Sequence, residues 1–208
     1  MTRIISSVFI AALAGIFLGV AAAQAQYVHT CVSAAAGNDG NTCHCTQPCR
    51  TFQRAHDQTL DQGQVTVLVP GDYGPLTITK SISLVNDGGG AASIIVSGGG
   101  TGITVNASPG GGYVNLRGLT IQGVGFGGST GITFNSGFAL TIENCLVRNH
   151  TGNGIEVLPS ASTHVAVANT LVGDNGGSGV SCGRPASDPC SSPSIGSRRI
   201  ATANPASS

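Results

Sequence analysis

The sequence predicts an all-β chain wound as a parallel solenoid, and three observations carry that prediction. Val114-Asn-Leu-Arg-Gly-Leu-Thr-Ile121 returns as Leu140-Thr-Ile-Glu-Asn-Cys-Leu-Val147 and again as Val165-Ala-Val-Ala-Asn-Thr-Leu-Val172, a period of about 25 residues. A second phrase keeps step with it: Thr101-Gly-Ile-Thr-Val-Asn106, Thr130-Gly-Ile-Thr-Phe-Asn135, then Gly154-Ile155 and Gly179-Val180. The third observation is composition. With 32 glycines, no tryptophan and many Thr, Val and Ile, the chain reads as short strands joined by tight turns. A unit repeating at this period can bury its apolar side only against its neighbours, so the repeats must stack.

The elements follow in order. Residues 1–25 read as a secretory signal peptide: Arg3 supplies the positive start, Ile4 to Val20 the apolar stretch, and Ala23-Gln-Ala25 the small-residue cleavage site. The mature chain then starts near Gln26, in the periplasm or outside the cell. Residues 26–49 form an irregular lead-in with Cys31, Cys43, Cys45 and Cys49, which an exported protein holds as disulfides. Cys43–Cys49 is the expected bridge and Cys31–Cys45 is open as a second one; four cysteines allow three connectivities, and the sequence does not choose among them. Cys43-His44-Cys45 with Cys49 also has metal-ligand chemistry, but the oxidising compartment and the lack of a second His/Cys group weigh against it, so no metal is expected.

From Arg50 to Leu60, Phe52, Ala55, His56, Thr59 and Leu60 recur at helical spacing, so residues 50–60 are read as a short amphipathic helix that stops before Gly63. Strands follow at Val65–Val69, Leu76–Ile78, Ile82–Val85, Ile94–Val96 and Ile103–Val105, each β-branched, alternating and bounded by Gly, Asn or Pro. No Asn-Gly hairpin turn separates neighbours, and strands at one phase of a period stack parallel at about 4.8 Å. Aligned coils place Val114, Leu140 and Val165 in one column, Leu116, Ile142 and Val167 in the next, and Ile121, Val147 and Val172 in a third. Gly118, Asn144 and Asn169 share a turn position, and Asn144 over Asn169 is read as a structural amide ladder. Arg117 is placed over Glu143 as an exposed cross-coil pair.

The Cys-Arg-Thr-Phe-Gln-Arg-Ala55 opening before Val65-Thr-Val-Leu-Val-Pro-Gly-Asp-Tyr73, together with the Leu140 to Asn149 coil, resembles the right-handed parallel β-helix, or pectin-lyase-like, proteins of the bacterial exported type. The resemblance covers about residues 49–181. It implies that the helix caps the open N-terminal end of the solenoid, so residues 50–181 form one unit of helix and repeats. Residues 182–208 carry no repeat column and are read as a disordered tail or as the product of a shifted reading frame. Ser191, Ser192, Ser194 and Ser197, if coded by TCN triplets, would shift to apolar residues and restore a coil. On that reading the chain is a solenoid shortened at its C-terminal end, and Cys182 and Cys190 carry no role.

Several relatives in that family cleave acidic polysaccharides, so the resemblance sets a test of equipment. The polygalacturonase-like ones use clustered aspartates and a Gly-His-Gly, and the pectate-lyase-like ones use an aspartate-built calcium site with an arginine base. This chain has neither cluster, and calcium needs several oxygens from neighbouring carboxylates and carbonyls. Glu143, Glu156 and Asp174, with Arg148 nearby, are the candidate catalytic residues within the repeats, and surface charge pairing is the competing role. Gly123 to Gly128 matches a dinucleotide-binding pattern, but no strand-helix-strand unit surrounds it, so it is a glycine-rich turn. Cys145 reads as a buried structural thiol.

Charged residues are 9% of the chain and balance to a formal net charge of zero, which excludes the basic footprint of a nucleic-acid binder and an electrostatic membrane surface. The sequence therefore favours an exported, non-catalytic repeat protein that binds carbohydrate or serves as a surface scaffold, with no cofactor. The alternative is a polysaccharide lyase or glycoside hydrolase that has lost part of its solenoid.

Overall fold

The computed structural model describes residues 26–88, 90–125, 128–158 and 161–183, and the backbone of 198–203. The signal-peptide segment 1–25 and residues 184–197 and 204–208 of the tail lie outside the described residues. The chain folds as a parallel β-solenoid with one short helix.

The lead-in opens with β1 (Tyr27–Val32), followed by α1 (Phe52–Gln58) and β2 (Thr59–Val67). After these, β3 (Gly71–Asp72) and β4 (Leu76–Ile78) complete the first coil. The next coils are β5 (Ile82–Val85), β6 (Ala92–Val96) and β7 (Thr101–Asn106), then β8 (Tyr113–Arg117), β9 (Leu119–Gly123) and β10 (Thr130–Ser136). They are followed by β11 (Ala139–Glu143), β12 (Leu146–Arg148) and β13 (Ile155–Val157), and by β14 (His164–Gly173) with β15 (Val180–Cys182).

Each coil has three faces. Face A stacks β1, β2, β5, β8, β11 and the first half of β14; face B stacks β3, β6, β9, β12 and the second half of β14. Face C stacks β4, β7, β10, β13 and β15. All pairings are parallel, and their registers match the columns of the sequence: Val114↔Leu140↔Val165, Leu116↔Ile142↔Val167 and Ile121↔Val147↔Val172. These side chains point inward and are buried. A further strand, β16 (Arg198–Ala203), pairs in parallel with β14 inside the segment that the sequence reading set apart.

The corner between faces A and B requires a left-handed backbone. Gly118, Asn144 and Asn169 occupy it with φ of 72°, 53° and 47°. Asn tolerates this region better than other side chains, which is why it recurs there. The side chains of Asn144 and Asn169 are exposed and make no hydrogen bond to each other or to any other described residue, so the expected amide ladder is not formed. A left-handed residue at an outer corner aims its side chain at water, and the column exists for its φ. An amide contact does occur elsewhere, where Asn135 donates from Nδ2 to Asn106 Oδ1 at 2.9 Å on face C.

The N-terminal end is closed by α1 and the disulfide-held lead-in. Asp39 Oδ1 accepts the N–H groups of Arg50 (2.8 Å) and Thr51 (2.9 Å), and its Oδ2 accepts the Thr51 hydroxyl. Thr51 caps the helix by accepting the Arg54 N–H, and Phe52 and Ala55 are buried over the first coil, Phe52 against Tyr73. The helix is shorter than the 50–60 the pattern predicts. Thr59 ends it, with its N–H on the Ala55 and His56 carbonyls and its hydroxyl on Ala55 O and Thr30 Oγ1, and then pairs with Tyr27 as a strand. The lead-in also holds more order than the sequence indicates, because β1 adds an extra parallel strand below β2. Cys31 is joined to Cys45 and Cys43 to Cys49, and backbone bonds from the Cys43 and Cys49 segments cover the outer edge of β1. An uncovered edge would be a template for aggregation.

Candidate functional site

The sequence-named acidic residues do not converge. Glu143 ends β11 on face A, Glu156 sits in β13 on face C, and Asp174 takes a left-handed φ of 55° at the corner between faces B and C. Glu156 Oε1 accepts from Asn153 Nδ2 at 3.1 Å, and Arg148, on face B, donates from Nη2 to Gln122 Oε1 at 3.4 Å. Arg117 lies in register with Glu143 but reaches back to the Asp87 carboxylate, so the expected Arg117–Glu143 pair gives way to Arg117–Asp87. Asp87 follows β5, whose Val85 is the register partner of Arg117, which puts the turn carboxylate within reach. A two-carboxylate hydrolase needs its pair about 5–9 Å apart around one bond, whereas these three carboxylates stand on a strand of face A, a strand of face C and the corner between faces B and C.

Metal and thiol chemistry fare no better. His29, Cys31 and Cys45 place ligand atoms within 4.8 Å of one another, but Cys31 and Cys45 are bonded to each other. A disulfide sulfur is not a thiolate, so the group offers only one nitrogen. Cys145 is 4% exposed, its thiol donates to Glu143 O at 3.2 Å, and burial pushes its pKa up to about 11. It is held as an unreactive thiol, in keeping with a packing role.

Two outward surfaces carry ordered polar or aromatic chemistry. On face C the outward residues Thr77, Thr104, Thr133, Glu156 and Ser181 stand in strict register, flanked by the Asn106–Asn135 amide contact. At the corner between faces C and A, the rings of Tyr113, Phe138 and His164 follow one another on consecutive coils. Their centroids are 5.2 Å and 5.3 Å apart. Tyr113 is 56% exposed, His164 is exposed and Phe138 is half-buried.

The aromatic row was missed in the sequence because its members are three different residue types. The signal was present: each sits one or two positions ahead of a repeat phrase, before Val114, Leu140 and Val165. The structure fixes them through the backbone. Phe138 N–H donates to Gly112 O at 2.8 Å, and Phe138 O accepts His164 N–H at 2.9 Å. Ser81 Oγ accepts the Tyr113 N–H and donates to Gly111 O, which ties the row to the coil before it. Gly137 is needed here: its φ is 151°, and a Cβ would meet the Phe134 ring at 2.9 Å.

No protein-family model and no curated protein sequence matches the chain. Among solved structures it is similar to the crystal structure of pectate lyase Pel9A, with a TM-score of 0.56 and 18% identity. The alignment covers 71% of this chain and 40% of that one, so the chain spans less than half the length of that enzyme. This likeness, with the stacked parallel coils, establishes the fold as a pectin-lyase-like parallel β-helix.

Proposed function

We propose that this β-helix is an exported, non-catalytic protein that binds polysaccharide on its outer strand faces. The observation that carries the reading is that the outer surface repeats coil by coil, with aromatic rings following one another at the corner between faces C and A and an in-register row of hydroxyl-bearing residues on face C that includes a single, hydrogen-bonded carboxylate, Glu156. Such a surface offers donors and acceptors at the coil repeat but no second carboxylate beside the first. Export is supported by the two disulfides of the lead-in and by the signal-peptide pattern of residues 1–25. No helix among the described residues is long and apolar enough to cross a membrane. Neither a nucleic acid nor a cofactor enters this reading.

A second reading, a lyase or hydrolase of which this chain carries only part of the solenoid, draws on the likeness to the longer pectate lyase Pel9A. A panel assay separates the two. The purified protein is incubated with polygalacturonate and with uncharged polysaccharides, with and without calcium, while bound polymer and released products are measured together. Binding without product release supports the proposal; calcium-dependent release of unsaturated uronate products overturns it.

A further inference from the structure

We infer that the corner between faces C and A is the binding line, and that its ligand is a linear, uncharged polysaccharide lying along the solenoid axis. This rests on the glycan-binding reading above and adds to it the place and the ligand class. The residues that carry it are Tyr113, Phe138 and His164, with Ser83, Asn115 and Thr141 beside them on face A.

The aromatic row has no role in the core, whose inward columns on the same coils are aliphatic: Val114, Leu140 and Val165. The exposed rings of Tyr113 and His164, with the half-buried Phe138 ring between them at 5.2 Å and 5.3 Å, call for a ligand with an apolar surface at a similar interval. One face of a pyranose ring is a sheet of C–H groups, slightly positive and apolar, and it complements the negative face of an aromatic ring. The edge of the same sugar is a ring of hydroxyls. On face A, Ser83, Asn115 and Thr141 stand in register on three successive coils: Asn115 and Thr141 follow Tyr113 and Phe138 on the same coils, Ser83 lies on the coil before, and Ala166 takes the place beside His164. Ser83 and Thr141 are half-buried at the border of the row, where sugar hydroxyls would meet them, and Asn115 keeps its Oδ1 buried. A hollow lined by Gln62, Ser81, Ile82, Ser83 and Tyr113 continues the line toward the N-terminal end.

Charge selects against an acidic polymer. None of the residues in the row, its flanking column or the hollow carries a formal charge at neutral pH with histidine neutral. The nearby Lys80 donates to Thr59 O and faces the carboxylates of Asp57 and Asp61, which balance its charge, and Asp61 also accepts the Ser81 N–H. Arg117, the next cation on face A, is paired with Asp87. A uronic polymer would bring one carboxylate per unit to a row that, among the described residues, holds no cation of its own to receive it. An uncharged chain meets no such cost. Because the rings come from three consecutive coils, several sugar units are held at once, and affinity should rise with oligomer length up to the length of the row.

The test uses the mature protein in affinity electrophoresis and titration calorimetry against uncharged glucans, xylans and mannans and against polygalacturonate. The variants are Tyr113→Ala, Phe138→Ala and, on face C, Thr104→Val with Thr133→Val; thermal melts confirm that each is folded. Tyr113→Ala removes an exposed side chain, so it is the variant least exposed to misfolding. The inference expects an uncharged polymer to bind, Tyr113→Ala to weaken it by at least about tenfold, and the face C variant to bind like the parent. Preference for polygalacturonate, or loss of binding in the face C variant with the row variants unaffected, overturns the assignment and leaves the glycan-binding reading standing. Failure of the parent protein to bind any of the polymers overturns both.

Discussion

His56 and Thr79 lock the capping helix to the first coil: His56 Nε2 accepts the Thr79 N–H at 3.2 Å. That bond needs a neutral imidazole with its proton on Nδ1, which faces Asp57 Oδ1 at 3.0 Å. His56 is 3% exposed, and burial lowers its pKa below the ordinary 6.5, with the Lys80 charge acting in the same direction and Asp57 opposing. His150 is also buried, and burial lowers its pKa too.

Both shifts give the same pH dependence. A histidine whose folded pKa lies below its unfolded value binds its proton more readily in the unfolded chain. Stability is therefore full above about pH 6.5 and falls as the pH drops from there toward the folded pKa values. The thermal midpoint should be flat at and above about pH 7 and decline toward about pH 5. His56→Gln should reduce the steepness of that decline. A midpoint that rises on acidification would show that the imidazoles are charged in the fold.

The disulfides make a second measurable contribution. Replacing Cys43 and Cys49 by serine opens a short loop and should cost about 2 kcal/mol by loop entropy. Opening Cys31–Cys45, which closes a longer loop, should cost about 3 kcal/mol. Denaturant melts of the two double variants give the comparison. Equal stability with and without reductant would mean that the lead-in adds nothing to the solenoid.

Asn144 tests the left-handed corner. Asn144→Ala should cost about 1 kcal/mol because alanine resists positive φ, whereas Asn144→Gly should be neutral or mildly stabilising. A side-chain ladder would make both substitutions costly. Gly118, at the same corner one coil earlier, behaves differently: a Cβ there would fall 2.2 Å from Asn86 O, so Gly118→Ala should be worse than Asn144→Ala. Urea unfolding of the three variants ranks them.

What the sequence made legible, and what it did not, follows from the same physics. Inward columns such as Leu116, Ile142 and Val167 repeat because each must fill one slot of a shared core, and that constraint leaves a periodic trace. The Asn144 and Asn169 column left the same trace, yet its cause is backbone conformation, and a repeat of residue type alone does not separate the two. β1 was illegible because its partner, β2, lies beyond the helix in sequence. Thr59 could serve as the last helical residue or the first of a strand, and its bonds to Ala55 and Thr30 decide for the strand. The aromatic row escaped notice because a surface needs only a flat ring at each step, and Tyr113, Phe138 and His164 each provide one.

The measurement that bears most directly on the account is recovery of a polysaccharide after binding. An uncharged polymer of narrow length distribution, and polygalacturonate in parallel, are mixed with the mature protein in calcium or chelator. Captured and unbound material is then sized by chromatography. Uncharged polymer should be captured at its starting length, equally well in both conditions, and polygalacturonate should be left uncut. Shortened chains, or unsaturated ends appearing only with calcium, would contradict it; if Glu143→Gln or Asp174→Asn then abolished that activity, the chemistry would be assigned to those residues.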